Sequence, residues 1–365
     1  MIYISEGLLY VCFAILIGAL TLRIVPEKLQ PAVQVPNGLL LACAAAIPVL
    51  SYVPIHQLAR LFAKDFELSY FAMLKSILLD VKAGKAWLWT ALGAAGLAVL
   101  LSAKSFRNDR HMPKVALFVT MLLIVWLGYA SHASSLSALK GLVVHTAHFF
   151  AFSLWIGILF VTAWFSRSAG KSADNWPAFL KWFSPLAIIC VVVTLLAGFT
   201  LMTFTTPEYV NAWMLPYGQA LLIKHLLILP LLLFAYTNGF MYKSAVAANP
   251  DFHPVKWLRI ESIAAVLMLG ATAFMGQQTP PHTVKDTLQT ESPSPLFTWL
   301  YKGSFSPDLD LRFTLHMESI LMLAAALLVA VAVVWTYRLN RPWTALPLGL
   351  LAAGFTYLGL MFSIS

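Results

Sequence analysis

The chain has 365 residues, of which 60% are hydrophobic and 11% are charged. Soluble proteins of this length carry about a quarter charged residues, so the composition excludes an ordinary globular enzyme. The formal net charge of +9 does not indicate a nucleic-acid partner, because Lys and Arg are dispersed over loops between apolar stretches. The composition therefore predicts an all-α, polytopic integral membrane helix bundle.

Ten apolar stretches are long enough to cross a bilayer as helices, for which about 20 residues are needed. The first lacks a basic leader and a small-residue cleavage site, so it is predicted to be an uncleaved span. The ten predicted spans are residues 2–25, 37–58, 86–102, 115–131, 141–165, 183–204, 219–241, 258–276, 313–337 and 343–362.

Two connections between these spans are longer than the others. Residues 59–85 mix apolar and charged side chains, which is typical of an amphipathic segment at a membrane surface. Residues 277–312 are rich in Pro, Ser, Thr and Asp, which predicts an exposed loop. The chain is therefore expected to form an eight-helix domain over residues 1–276, a loop over 277–312 and a C-terminal transmembrane hairpin over 313–365.

The basic residues predict the orientation of the chain, because short cytoplasmic loops are enriched in Lys and Arg. Loops after odd-numbered spans hold most of the 24 basic residues, with Lys104, Arg107, Arg110 and Lys114 in one short stretch. Most of the others lie in the two long loops, which count less in this rule. We therefore expect a multi-pass protein of the cell membrane with residues 277–312 and both termini on the extracytoplasmic side.

Seven of the nine histidines fall in the extracytoplasmic half of this topology, and ionisable residues within spans usually mark a functional site. His145 and His148 share a helix face, since they are three residues apart. Neutral imidazole binds copper, zinc and haem iron. The ordinary alternatives are a solvated loop position for His132 and polar packing for His145, His148 and His225. The predicted metal ligands are His145, His148, His225, His56, His132 and His316.

Other side chains at the same depth are expected to support this site. Thioether sulfur suits Cu(I), although most methionines in a membrane protein fill the core. Met202 is the preferred candidate, and Met214, Met275 and Met317 are weaker ones.

Three of the charged residues inside the predicted spans invite a pairing by depth. Lys224 and Glu318 each lie roughly 8 Å from the outer end of their span at 1.5 Å per residue, so the sequence permits an ion pair between them. Glu261 lies near the cytoplasmic end of the eighth span and is expected to pair with an Arg or Lys there. The cysteines (Cys12, Cys43 and Cys190) form no CxxC pair and are predicted to be buried small hydrophobes.

Four segments with distinctive residues follow one another from the fifth to the eighth predicted span. They are HFFAFSLWIG with His148, Trp155 and Gly157; KWFSPLAIICVVVTLLAGF with Phe183, Ser184, Ala187 and Gly198; LPYGQALLIKHLLILPLLLFAYTN with Tyr217, Gly218, Lys224 and Asn238; and RIESIAAVLMLGATAFMGQQTPP with Arg259, Glu261, Ser262, Pro280 and Pro281. In this order and spacing they resemble the copper resistance protein D (CopD/PcoD) membrane family. The resemblance is close over residues 140–281 and loose over residues 1–139.

The resemblance implies an inner-membrane protein of copper handling, usually considered a transporter that brings copper ions into the cytoplasm. Some members of the family work beside, or are fused to, an extracytoplasmic copper-binding domain of the CopC type. In this chain a loop and two more apolar spans follow the eighth span, so a separate CopC-type protein is the expected partner.

The leading hypothesis is therefore a copper permease, with copper ion as its cargo and no catalytic residue. One alternative is a membrane oxidoreductase that binds haem b between His145 or His148 and His225, since HemJ-type oxidases have a similar helix pattern. Another is an assembly factor that delivers copper without transporting it. The sequence has no Walker motif, which argues against ATP-driven pumping.

Overall fold

The structure is a computed structural model that describes residues 2–103, 106, 109–166, 175–241 and 254–365. Within these ranges it is helical and contains no strand. Among the described residues, ten helices are long and apolar enough to cross a membrane, which confirms the predicted all-α, polytopic membrane fold. These helices are Ile2–Ile24 (α1), Asn37–Asp65 (α2), Lys82–Ser102 (α4), Met112–Tyr129 (α5), Ala138–Phe165 (α7), Trp176–Thr205 (α8), Pro216–Phe240 (α9), Val255–Met275 (α10), Met317–Arg338 (α13) and Pro342–Met361 (α14).

Shorter helices occupy the connections. They are Tyr70–Asp80 (α3), His132–Leu136 (α6), Val284–Thr290 (α11) and Pro295–Leu300 (α12), with 3₁₀ turns at Glu27–Leu29 and Asn211–Met214. In α3 the Ser69 hydroxyl accepts a hydrogen bond from the backbone N–H of Ala72 and caps the first turn. The helix buries Met73 and Ile77 against α2 and leaves Phe71 exposed, as an amphipathic segment does.

The chain divides into two compact units, Met1–Leu201 and Met202–Ser365. In the first, α1 lies among α2, α5 and α7, and its Phe13, Leu16 and Ile17 are fully buried. The three cysteines are free thiols, and Cys43 and Cys190 are buried as predicted, whereas Cys12 is only half-buried.

Helices α1 and α7 touch at their backbones. A Cβ added to Gly18 would lie 2.1 Å from the carbonyl oxygen of Gly157, and one added to Gly157 would lie 2.2 Å from that of Ala14. Helices in membranes approach this closely only where small residues line the interface. The contact therefore fixes the position of α7, the helix that carries His145 and His148.

In the second unit, α9 packs against α10 and α14, and α13 packs against α14. The segment 277–312, predicted as an exposed loop, is more ordered than its composition indicates. Its two short helices bury four apolar side chains in a hydrophobic cluster with the 3₁₀ turn before α9. These side chains are Val284, Leu288, Phe297 and Leu300. The Pro and Ser residues that predicted a loop instead flank and begin these short helices.

Candidate functional site

His148 is held by a backbone carbonyl of the neighbouring helix. Nδ1 of its half-buried imidazole lies 2.8 Å from the carbonyl oxygen of Thr194 on α8. A carbonyl only accepts, so Nδ1 carries the proton and Nε2 of the neutral ring carries the lone pair. Metal-binding histidines commonly show this arrangement, in which one nitrogen donates to a carbonyl and fixes the ring while the other binds the metal.

Gly198 provides the space for this ring. It lies one helical turn beyond Thr194 on α8, and a Cβ there would be 3.1 Å from Cε1 and 3.4 Å from Nδ1 of His148. A side chain at this position would push the imidazole by a few tenths of an ångström. Helix α8 thus supplies both the carbonyl that orients His148 and the gap that admits it.

His145 precedes His148 by one helical turn on α7 and is also half-buried. Both lie in the first half of the helix, and the later half is mostly buried in the first unit. His132 is exposed at the start of α6, which lies next to α7. Lys82, which sequence reasoning missed, ties α4 to this region: its ammonium group donates to the carbonyl and hydroxyl oxygens of Ser134 at 3.0 and 2.7 Å.

His56 belongs to a polar network of aromatic side chains between α2 and α3. Its Nδ1 lies 2.7 Å from the hydroxyl oxygen of Tyr70, which in turn lies 3.0 Å from that of Tyr52. The network orients the imidazole and joins the two helices, so His56 has a structural role in addition to any ligand role. Neither tyrosine was singled out from the sequence, because their pairing depends on where α3 folds back.

In the second unit, His225 is oriented by a tyrosine from the segment before its helix. Nδ1 of His225 lies 2.8 Å from the hydroxyl oxygen of Tyr209. Burial raises the pKa of Tyr209 to about 12. The phenol therefore keeps its proton at every physiological pH, and this hydrogen bond does not depend on its ionisation. Lys224, the adjacent residue on α9, is half-buried.

The two expected pairings of buried charges are both corrected. Glu318 does not pair with Lys224: it accepts from Lys302, and both side chains are exposed. Glu261 pairs with no Arg or Lys among the described residues, and its carboxylate accepts instead from Nδ2 of Asn238 at 2.7 Å. The position of a residue along a helix does not specify which way its side chain faces. The direction of the side chain determines its partner, and for this reason both predicted ion pairs were wrong.

The remaining candidates have mostly local roles. His316 is exposed and caps α13: its backbone N–H donates to the Ser319 hydroxyl at 3.1 Å, and that hydroxyl donates to its carbonyl at 2.7 Å. Met214 is buried in the hydrophobic cluster of the second unit, whereas Met202 is half-buried on α8 and Met317 is exposed.

The predicted ligands are distributed over both compact units. His56, His132, His145 and His148 lie in the first, and His225 and His316 in the second. Over the described parts of the chain, no group of three or more His, Cys, Asp and Glu side chains is close enough to hold a metal ion. What the structure supplies are oriented imidazoles, of which His148 is fixed by a backbone carbonyl.

The described residues contain ten helices that could cross a membrane, and histidines lie within three of these helices, α2, α7 and α9. These features define a multi-pass membrane protein with ionisable side chains inside its apolar helices. Two family models match the sequence: copper resistance protein D-like, N-terminal domain, over residues 1–142, and copper resistance protein D over residues 177–275. The chain belongs to the copper resistance protein D family and is thus a membrane protein of copper resistance and homeostasis, which confirms the resemblance of its motifs. No curated protein and no solved structure matches the chain.

Proposed function

We propose that this protein takes up copper ions through an outward-facing site at His145 and His148 and carries them across the plasma membrane into the cytoplasm. The observation that carries the proposal is the hydrogen bond from Nδ1 of His148 to the carbonyl oxygen of Thr194. It fixes the tautomer in which Nε2 offers its lone pair to a metal ion. Membership of the copper resistance protein D family supports copper as the ion.

The other histidines serve as further ligands in this proposal. His56 and His132 belong to the first unit, and His225 and His316 to the second, where Met202 adds a thioether that suits Cu(I). Copper reaches the extracytoplasmic side on a separate CopC-type copper-binding protein. The protein acts as a permease, so no residue is assigned a catalytic role.

Transport and the orientation of His148 are tested together in proteoliposomes that hold a copper indicator. We expect the protein to admit copper, and we expect Gly198→Ala to slow the uptake several-fold, because the new methyl group displaces the imidazole from its position against Thr194. The loss should be smaller than the 10- to 100-fold that changing a partner of a metal ligand typically costs, because the hydrogen-bond acceptor itself remains.

The matched control is Gly96→Ala on α4, where nothing lies within 4 Å of the added Cβ. Its uptake should equal that of the unmodified protein. If unmodified protein binds copper but admits none, the transport proposal is wrong and a delivery role replaces it. If Gly198→Ala transports normally, the orientation of His148 does not matter for uptake.

The proposed orientation predicts which positions are reached from outside the cell. In a variant with its three native cysteines replaced by alanine, a membrane-impermeant maleimide should label Ser304→Cys in intact cells, because position 304 is exposed in the segment 277–312. Asp109→Cys, exposed between α4 and α5, should be labelled only after permeabilisation. The opposite pattern would place the histidines on the cytoplasmic side and contradict an outward-facing site.

A further inference from the structure

A carboxyl group is buried in the second unit, and no basic partner reaches it from the described residues. Glu261 is 2% exposed and lies roughly 9 Å along α10 from Val255, at 1.5 Å per residue. Its carboxylate accepts a hydrogen bond of 2.7 Å from Nδ2 of Asn238 on α9. Asn238 is 5% exposed, and its Oδ1 atom is buried with no hydrogen-bond partner in the part of the chain that the structure describes. The pair therefore contains an acidic group and an unused acceptor, both shielded from water.

None of the charged and titratable groups that the structure describes around this pair neutralises it. Within the described residues, Glu261 forms no ion pair, and Asn238 is its hydrogen-bond partner. Lys224, the cation within α9, lies fourteen residues from Asn238, which is roughly 21 Å along the helix. The groups on α10 and on the helices that border it are Lys256 and Arg259 on α10; Tyr217, Lys224, His225 and Tyr236 on α9; Glu318, Tyr337 and Arg338 on α13; and Arg341 and Tyr357 at or on α14.

A protonated carboxyl group suits this environment, whereas an ionised one does not. An isolated carboxylate buried away from water is costly unless a cation reaches it. A protonated carboxyl carries an O–H donor, and Oδ1 of Asn238 is an acceptor with no other partner among the described residues. The amide can then donate through Nδ2 and accept through Oδ1, so the acid and the amide satisfy each other. Oxygen donors are hard ligands and make a poor site for Cu(I) itself.

We propose that Glu261 and Asn238 form a proton-binding site that exchanges a proton during copper transport, an inference that rests on the proposed function. When copper occupies the second unit, the Glu261 carboxyl releases its proton to water on the predicted cytoplasmic side. The resulting carboxylate compensates the charge of the ion. When copper leaves, the carboxylate takes up a proton from water, so one proton is released and one is rebound in each cycle.

The proton itself is tested without copper by infrared difference spectroscopy of the purified protein over a pH series. We expect the carbonyl stretch of a protonated, buried carboxyl group to disappear as the pH rises. Glu261→Gln should lack this band, and Asn238→Ala should change the pH at which it disappears. Glu318→Gln is the control: its carboxylate is exposed and paired with Lys302, so the band should remain. A band that survives in Glu261→Gln would overturn the proposal. If the pH at which the band disappears depended on the sodium concentration, the site would be a sodium site and the proposal would also be overturned.

The coupling is tested in proteoliposomes by following copper uptake and the pH of the medium together. The first turnover of the unmodified protein should be accompanied by a transient release of protons, which are rebound when copper leaves, and Glu261→Gln should move copper without this release or lose uptake. Glutamine has the shape of the protonated acid and can still bond to Asn238, so we expect this variant to fold. If it does not fold, the infrared spectrum of Asn238→Ala tests the proton-binding site instead, and an unchanged pH dependence of the band would overturn the proposal. Normal, pH-dependent proton exchange by Glu261→Gln would overturn the proposal. Absence of copper uptake in the unmodified protein would refute the proposed function and the coupling, while the infrared test of the proton site would stand alone.

Discussion

Replacing both His145 and His148 with alanine is expected to lower copper accumulation by cells at least about 10-fold. Changing even an outer partner of a metal ligand typically costs 10- to 100-fold in affinity or activity, and this variant removes two proposed ligands. Copper per cell, measured by mass spectrometry at equal amounts of protein in the membrane, checks the prediction. The single variants His56→Ala and His225→Ala should lose less, because each leaves the pair on α7 intact.

The matched control for this variant is His111→Ala. His111 is exposed at the start of α5, in the loop predicted to be cytoplasmic, and should have little effect on accumulation. Unchanged copper accumulation by a stably inserted His145→Ala/His148→Ala protein would refute the assignment of these residues as ligands.

Introducing valine at Gly157 is expected to separate α1 from α7 and to prevent stable folding of the first unit. The new Cβ would lie 2.2 Å from the carbonyl oxygen of Ala14 and 2.9 Å from the backbone nitrogen of Gly18. These are backbone atoms, so no change of rotamer relieves the overlap. Overpacking a core typically lowers the free energy of unfolding by about 1–3 kcal/mol, and we expect this variant to lose at least the upper value of that range. The apparent melting temperature and the yield of monodisperse protein in detergent measure it.

The control for this substitution is Gly96→Val on α4. Position 96 is exposed, and nothing lies within 4 Å of a Cβ placed there. This variant should keep nearly the melting temperature of the unmodified protein. If Gly157→Val were as stable as Gly96→Val, the backbone contact between α1 and α7 would not be what holds α7 in place.

The membrane spans could be predicted because a helix in lipid requires a long apolar stretch, and such stretches are evident from the sequence alone. The first and last residues of the spans were harder to predict. Helix α4 begins at Lys82 rather than at residue 86. The ammonium group of Lys82 donates a hydrogen bond to Ser134, so a charged residue can begin this helix. The order within residues 277–312 was missed because four buried apolar residues are spaced among Pro, Ser and Thr.

The candidate site was predicted only in part. Helical spacing placed His145 and His148 on one face of a single helix, which needs no tertiary information. The contact of His148 with Thr194, and of Glu261 with Asn238, depends on which helices are neighbours and how each is rotated. Gly198, Asn238 and Glu261 stood out in the sequence as parts of family-like segments. The structure supplied their neighbours, and the expected ion pairs failed for lack of that information.

The amount of copper bound by the purified protein tests the account most directly, measured together with its optical absorption spectrum. We predict copper at a constant ratio to protein, a ratio that falls strongly in His145→Ala/His148→Ala, and no Soret band. Copper content that is the same in both proteins would contradict the proposed ligands. A Soret band that disappears in the double variant would show that these histidines bind haem iron instead.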